Sequence, residues 1–194
     1  MYFGTDPGSV PRSDPGFEFH RENQNMIPDS LQTIAEISIG LAGFSGLIVA
    51  LRKNPGPLTD VQKYRLKILF AMTFGAMFLS LLPELLLNFH VPNDRIWFDS
   101  SAAMFTYSLC FVIWIIAGAR RVAKVAPEIF DWVVFSSLTA GHIIVLLLQL
   151  SVMAKMIEGR APGAYSLGLI WYLIHAAQQF VRMLFILPRS PDHG

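Results

Sequence analysis

Apolar positions in this chain come in long unbroken runs, not in the alternation of half-buried strands or the narrow stripes of surface helices. A helix needs about 20 mostly apolar residues to cross a bilayer's hydrocarbon core. Five windows meet that requirement, at about 31–51, 68–88, 102–118, 132–154 and 164–187. The pattern predicts an all-α integral membrane protein, a bundle of five transmembrane helices. Of the twelve prolines only Pro83 falls inside a window; the rest sit where a missing N–H donor costs little. The fifth window is the most polar, which leaves open a four-span arrangement with that segment lying on the membrane surface.

Basic residues suggest the orientation. Arg52, Lys53, Lys63, Arg65, Lys67, Arg120, Arg121, Lys124 and Arg189 fall on one side, against Arg12, Arg21, Arg95, Lys155 and Arg160 on the other. The positive-inside rule then places the N-terminus outside and the C-terminus in the cytoplasm. Residues 1–30 lack an apolar core and are acidic and rich in Pro and Gly, so they read as an extramembrane arm rather than a signal peptide. Asp29 or Ser30 is placed to cap the first span, and residues 189–194 form a short tail. Thr59-Asp60-Val61-Gln62 has the form of a capping box, which starts the second helix several residues before its apolar window.

The first span carries small residues at every fourth position, Ser38, Ala42, Gly46 and Ala50. Such a ridge lets another helix backbone approach closely, within the subunit or between subunits. A helix break that binds an ion near Gly40, Gly43 or Gly46 is the other reading. The Gly/Ala/Ser-rich segment 34–50 resembles the openings of small, uncharacterised bacterial multi-spanning membrane proteins. The resemblance covers only this span; it implies a bacterial inner membrane and carries no function.

Ionisable groups inside spans are expensive and usually face other helices or water. Glu36 and Glu84 each lie about five residues from an outer helix end, which puts both at a depth of roughly 7–8 Å. If close together, the two carboxyls would share a proton or bind a cation. Otherwise each is neutral or bonded to Gln32, Thr33 or Tyr107. Thr73, Ser80, Glu84 and Asn88 share one face of the second helix, and Pro83 leaves the carbonyl of Leu79 without its helical donor.

The fifth span has the strongest polar pattern. His175, Gln178, Gln179 and Arg182 follow helical spacing and form one stripe. On the fourth span Asp131, His142 and Gln149 also share a face. An antiparallel hairpin turning near Gly159 brings His142 within a turn of His175 and puts Asp131 within reach of Arg182 as a structural ion pair. Three readings remain: an interhelical hydrogen-bond network, a proton or ion path in which neutral histidines act as relays, or a haem held by His142 and His175 as axial ligands.

Composition narrows the classes. Only 15% of the 194 residues are charged, mean hydropathy is +0.46, and the net charge of +1 provides no field for nucleic acid. A single cysteine, Cys110, excludes an internal disulfide and reads as a packing residue. No P-loop, nucleophile elbow or His-Glu-x-x-His pattern occurs, and the short loops leave no room for a soluble catalytic domain, so no enzymatic activity is expected. The leading expectation is a homo-oligomeric channel or an ion- or proton-conducting protein without a cofactor, its partners being lipids and further copies of itself. A non-catalytic accessory subunit of a membrane complex is the alternative, and a haem-binding redox subunit the third.

Overall fold

A computed structural model describes residues 28–50, 58–125, 127, 132–157 and 159–185. They form five helices and no strands: α1 (Ser30–Ala50), α2 (Asp60–Asn88), α3 (Asn93–Val125), α4 (Trp132–Met153) and α5 (Ala161–Phe185). Within α2, α3 and α4, the segments Asp60–Asn88, Arg95–Lys124 and Trp132–Met153 are long and apolar enough to cross a membrane. The helix α3 runs well beyond its apolar window of 102–118, because its polar first turns and basic last turn continue the helix past the apolar stretch.

Local chemistry sets the helix ends. The capping box at Thr59 is formed in both directions: the Gln62 amide donates to Thr59 Oγ1 (3.3 Å), and the Thr59 amide to Gln62 Oε1 (3.1 Å). The other end of α2 closes with a residue in the left-handed region, His90 (φ 58°). There the amides of His90 and Val91 reach back to the carbonyls of Leu87 (2.9 Å) and Leu86 (3.1 Å). The end of α4 repeats the motif at Lys155 (φ 55°), whose amide and that of Met156 reach Val152 and Ser151, both at 3.0 Å. Gly159 (φ 75°) then turns the chain into α5.

The hub of the bundle is α5, which packs against all four other helices. Around it α2, α3 and α4 follow in order, while α1 lies outside the α2–α5 pair and meets neither α3 nor α4 among the described residues. The core is built on Leu69, Met72, Met104, Leu169 and Tyr172, all fully buried. The outer surface is apolar too: Val133 is 80% exposed, Phe78 65% and Ile144 65%. The interior meanwhile buries Ser100, Ser101, Ser108, His142, Gln149 and His175 completely. Polar groups inside and large apolar side chains outside reverse the soluble arrangement and suit a lipid surround.

Glycines and tyrosines set the helix spacing. A Cβ on Gly141 would collide with the Trp171 ring, one on Gly118 with Tyr64, and one on Gly75 with Tyr107. Three phenols cross to backbone carbonyls on other helices: Tyr64 to Ile115 (2.6 Å), Tyr107 to Ala71 (2.5 Å) and Tyr165 to Leu79 (2.6 Å). The last takes up the acceptor that Pro83 frees in α2.

The small-residue ridge of α1 is covered only in part within the subunit. Ser38 is buried, Ala42 half-buried, and Gly46 and Ala50 exposed. Each four-residue step turns by about 40° around a helix of 3.6 residues per turn, so such a row spirals away from a straight neighbour. The inward face instead runs through Leu31, Ile34, Ala35, Ser38 and Ser45. Among the described residues, no neighbouring helix comes within 4 Å of a Cβ placed on Gly40, Gly43 or Gly46.

Candidate functional site

The hairpin of α4 and α5 brings the two histidines together. His142 Nε2 and His175 Nδ1 are 2.8 Å apart, and both rings are completely buried. The bond follows from registry: helical spacing turns both residues toward the partner helix, and the turn at Gly159 sets them nearly level. Aromatic rings enclose the pair. Phe111 lies 5.0 Å from His142 and 5.9 Å from His175 between centroids, with Tyr172 and Trp171 against His142 at 5.7 and 6.3 Å. Tyr172 is itself held by a hydrogen bond between its hydroxyl and that of Ser108.

One hydrogen bond joins the rings, so one nitrogen donates and the other accepts. With both rings neutral two tautomeric arrangements exist. In the first, His142 Nε2–H donates, His142 Nδ1 is bare and His175 carries its proton on Nε2. In the second, His175 Nδ1–H donates, and the outer protons are reversed. The two outer nitrogens, His142 Nδ1 and His175 Nε2, are buried and have no partner among the described residues. Buried polar atoms without a partner are costly and uncommon.

On one side of the pair lies a cavity of about 50 Å³, reached by His175, Gln179, Arg182, Arg65 and Tyr64. A water needs roughly 10–15 Å³ of such volume, so the space suits a few waters. Arg65 is 7% exposed, and its Nη1 has no protein partner. On the other side Gln149 donates through Nε2 to the Ala164 carbonyl (3.3 Å), while its Oε1 is buried without a partner. Val145 and Leu169 pack in this half of the bundle. The polar file is therefore open to a cavity at one end and enclosed by apolar packing toward the other.

Several expected site residues lie elsewhere. Glu36 and Glu84 are both exposed on the outer surface and do not line the interior. Glu36 accepts from Gln32 Nε2 at 3.1 Å, one turn earlier on α1, while the Tyr107 hydroxyl goes to Ala71 instead. Glu84 borders an outer groove with Phe78, Leu81 and Asn88. A common face on α2 did not reveal which part of it the neighbours cover: Thr73 and Ser80 are buried, Glu84 and Asn88 are not. Gln178 is half-buried and Gln179 buried. Asp131, expected to pair with Arg182, lies outside the described residues. Cys110 is exposed and not packed in the core.

As they stand, the histidines do not frame a haem. Two axial ligands need an iron between their nitrogens, and these nitrogens share one hydrogen bond at 2.8 Å. Among the described residues no group of three His, Cys, Asp or Glu gathers as a metal site. Arg65 is the residue that sequence reasoning missed. Its charge and position read as part of the basic foot of α2, and only the approach of α3, α4 and α5 encloses it. No family model, curated protein or solved structure matches the chain.

Proposed function

We propose that this chain is a membrane-embedded proton-conducting protein in which the His142–His175 pair relays protons. All five helices cross the bilayer in this reading, with the N-terminus outside and the basic end of the bundle in the cytoplasm. The observation that carries the proposal is the buried hydrogen bond between two rings whose outer nitrogens lack protein partners, one ring bordering the Arg65 cavity.

The relay balances as follows. A proton from cavity water adds to His175 Nε2, His175 Nδ1 passes its proton to His142 Nε2, and His142 Nδ1 releases its own. One proton enters and one leaves, with the pair left in the other tautomer. Both rings must then turn over before the next passage in the same direction. The beginning of the path, a cavity of about 50 Å³, favours a proton over a hydrated ion. Tight packing around Val145 means that exit toward the far side requires a side-chain rearrangement.

The test is proton flux into liposomes containing the purified protein, driven by a potassium-diffusion potential and read with an internal pH dye. Wild-type protein should conduct protons and not sodium. His175→Phe and His142→Phe should each reduce flux to the level of empty liposomes while the protein stays monodisperse and helical. Wild-type flux equal to that of empty liposomes in both directions would sink the reading.

A second reading, an accessory subunit of a membrane complex, draws on a different observation. Glu36, Glu84 and the open face of Gly40, Gly43 and Gly46 all point outward. A carboxyl facing lipid is costly, and a partner helix would cover it. That partner is a second copy or a different chain; native mass spectrometry of the extracted protein separates the two.

A further inference from the structure

The antiparallel packing of α2 and α3 brings the first turns of one beside the last turns of the other, and a groove of about 340 Å³ opens between them. Lys63 and Lys67 line it from α2, one helical turn apart, and Arg121 lines it from α3. Its one carboxylate is Asp60, 3.5 Å from Lys63 in a solvent-exposed pair, an arrangement that holds little energy. Lys67 and Arg121 form no ion pair among the described residues.

The wall below this rim is aromatic and firmly set. The Tyr64 ring lies over Gly118, where any Cβ would collide with it. Its hydroxyl donates to the Ile115 carbonyl, and its centroid is 6.0 Å from that of Trp114. Trp114 is 40% exposed, and Ile113 beside it is 62% exposed on the apolar outer surface. The groove thus joins a cationic rim to an aromatic wall that continues onto the apolar surface. A soluble anion would use the rim alone. A lipid with a negative headgroup uses both parts.

We propose that this groove binds an anionic glycerophospholipid, its phosphate among Lys63, Lys67 and Arg121 and its acyl chains alongside Trp114. Basic pockets between membrane helices recognise headgroups in this way, each Lys or Arg strengthening binding about fivefold. The site is separate from the histidine pair and does not depend on proton conduction.

Native mass spectrometry of the full chain, released from nanodiscs of equimolar phosphatidylglycerol and phosphatidylcholine, tests it. Wild-type protein should retain phosphatidylglycerol preferentially. The variant K67A/R121A should bind it about 25-fold more weakly, whereas K67R/R121K should keep the preference. The control R120A removes a neighbouring charge that lines a different groove, beside Trp132, and should behave as wild type. Equal retention of the two lipids by wild-type protein overturns the proposal. So does an equal loss in R120A, which would indicate general surface charge. Displacement of the lipid by equimolar glycerol phosphate would also overturn it, since the rim would then be recognising phosphate alone. Should K67A/R121A fail to fold, the wild-type lipid ratio and the K67R/R121K variant still decide.

Discussion

The Tyr165 hydroxyl donates to the Leu79 carbonyl across the α5–α2 interface, 2.6 Å away and fully buried. Pro83 has no N–H to offer that carbonyl, so a helix-breaking residue on α2 and a phenol on α5 act as one unit. The pairing makes a testable cycle. Tyr165→Phe should destabilise the detergent-solubilised protein by about 1–3 kcal/mol, the cost of a buried acceptor left without a donor. Introducing Pro83→Ala first returns a helical N–H to Leu79, so the same Tyr165→Phe change should then cost distinctly less. Equal costs in the two backgrounds, measured by denaturant unfolding, would show that the bond does not serve Pro83.

The histidine pair predicts a non-additive result for stability as well as for flux. His142→Phe or His175→Phe alone removes the hydrogen-bond partner of the other buried ring, at about 1–3 kcal/mol. Replacing both removes the orphan together with its partner. The double variant should therefore be more stable than the two single losses added together. Strict additivity in thermal unfolding would argue that the rings do not interact.

Glycine substitutions should separate the inner and outer faces. Gly141→Ala forces a Cβ into the Trp171 ring and should cost about 1–3 kcal/mol through overpacking. Gly40→Ala meets no neighbouring helix among the described residues and should be neutral or raise stability by up to about 1 kcal/mol through helix propensity. If Gly40→Ala instead lowers stability and dissociates an oligomer on a sizing column, the face is an interface between copies.

Lys155 closes α4 at a position that favours glycine, with φ 55°. Lys155→Gly removes the left-handed strain of a side chain, partly offset by a more flexible unfolded chain, and should raise stability by about 0.5–1 kcal/mol. A lower melting temperature would mean that the lysine side chain makes a contact worth more than the strain.

The helical class, the Thr59 capping box, the freed Leu79 carbonyl and the meeting of His142 with His175 were all legible in the chain. Each depends on local spacing: run length, cap residues three apart, a proline's missing donor, or two helices joined by a short turn. What covers each helix face was not legible. Glu36 and Glu84 both lie within helices, yet both carboxyls point outward, because periodicity groups residues on a face without saying which neighbour covers it. The ridge from Ser38 to Ala50 turns away from the neighbouring helices of its own subunit for the same reason. Tyr165 against Leu79 spans 86 positions, and Arg65 joins a cavity with residues from α3, α4 and α5. Contacts at that separation depend on how helices pack, and packing is chosen by the whole set of side-chain shapes at once. Run lengths, caps and helical spacing set where helices run and which polar groups need shelter; the packing of the helices settled which received it.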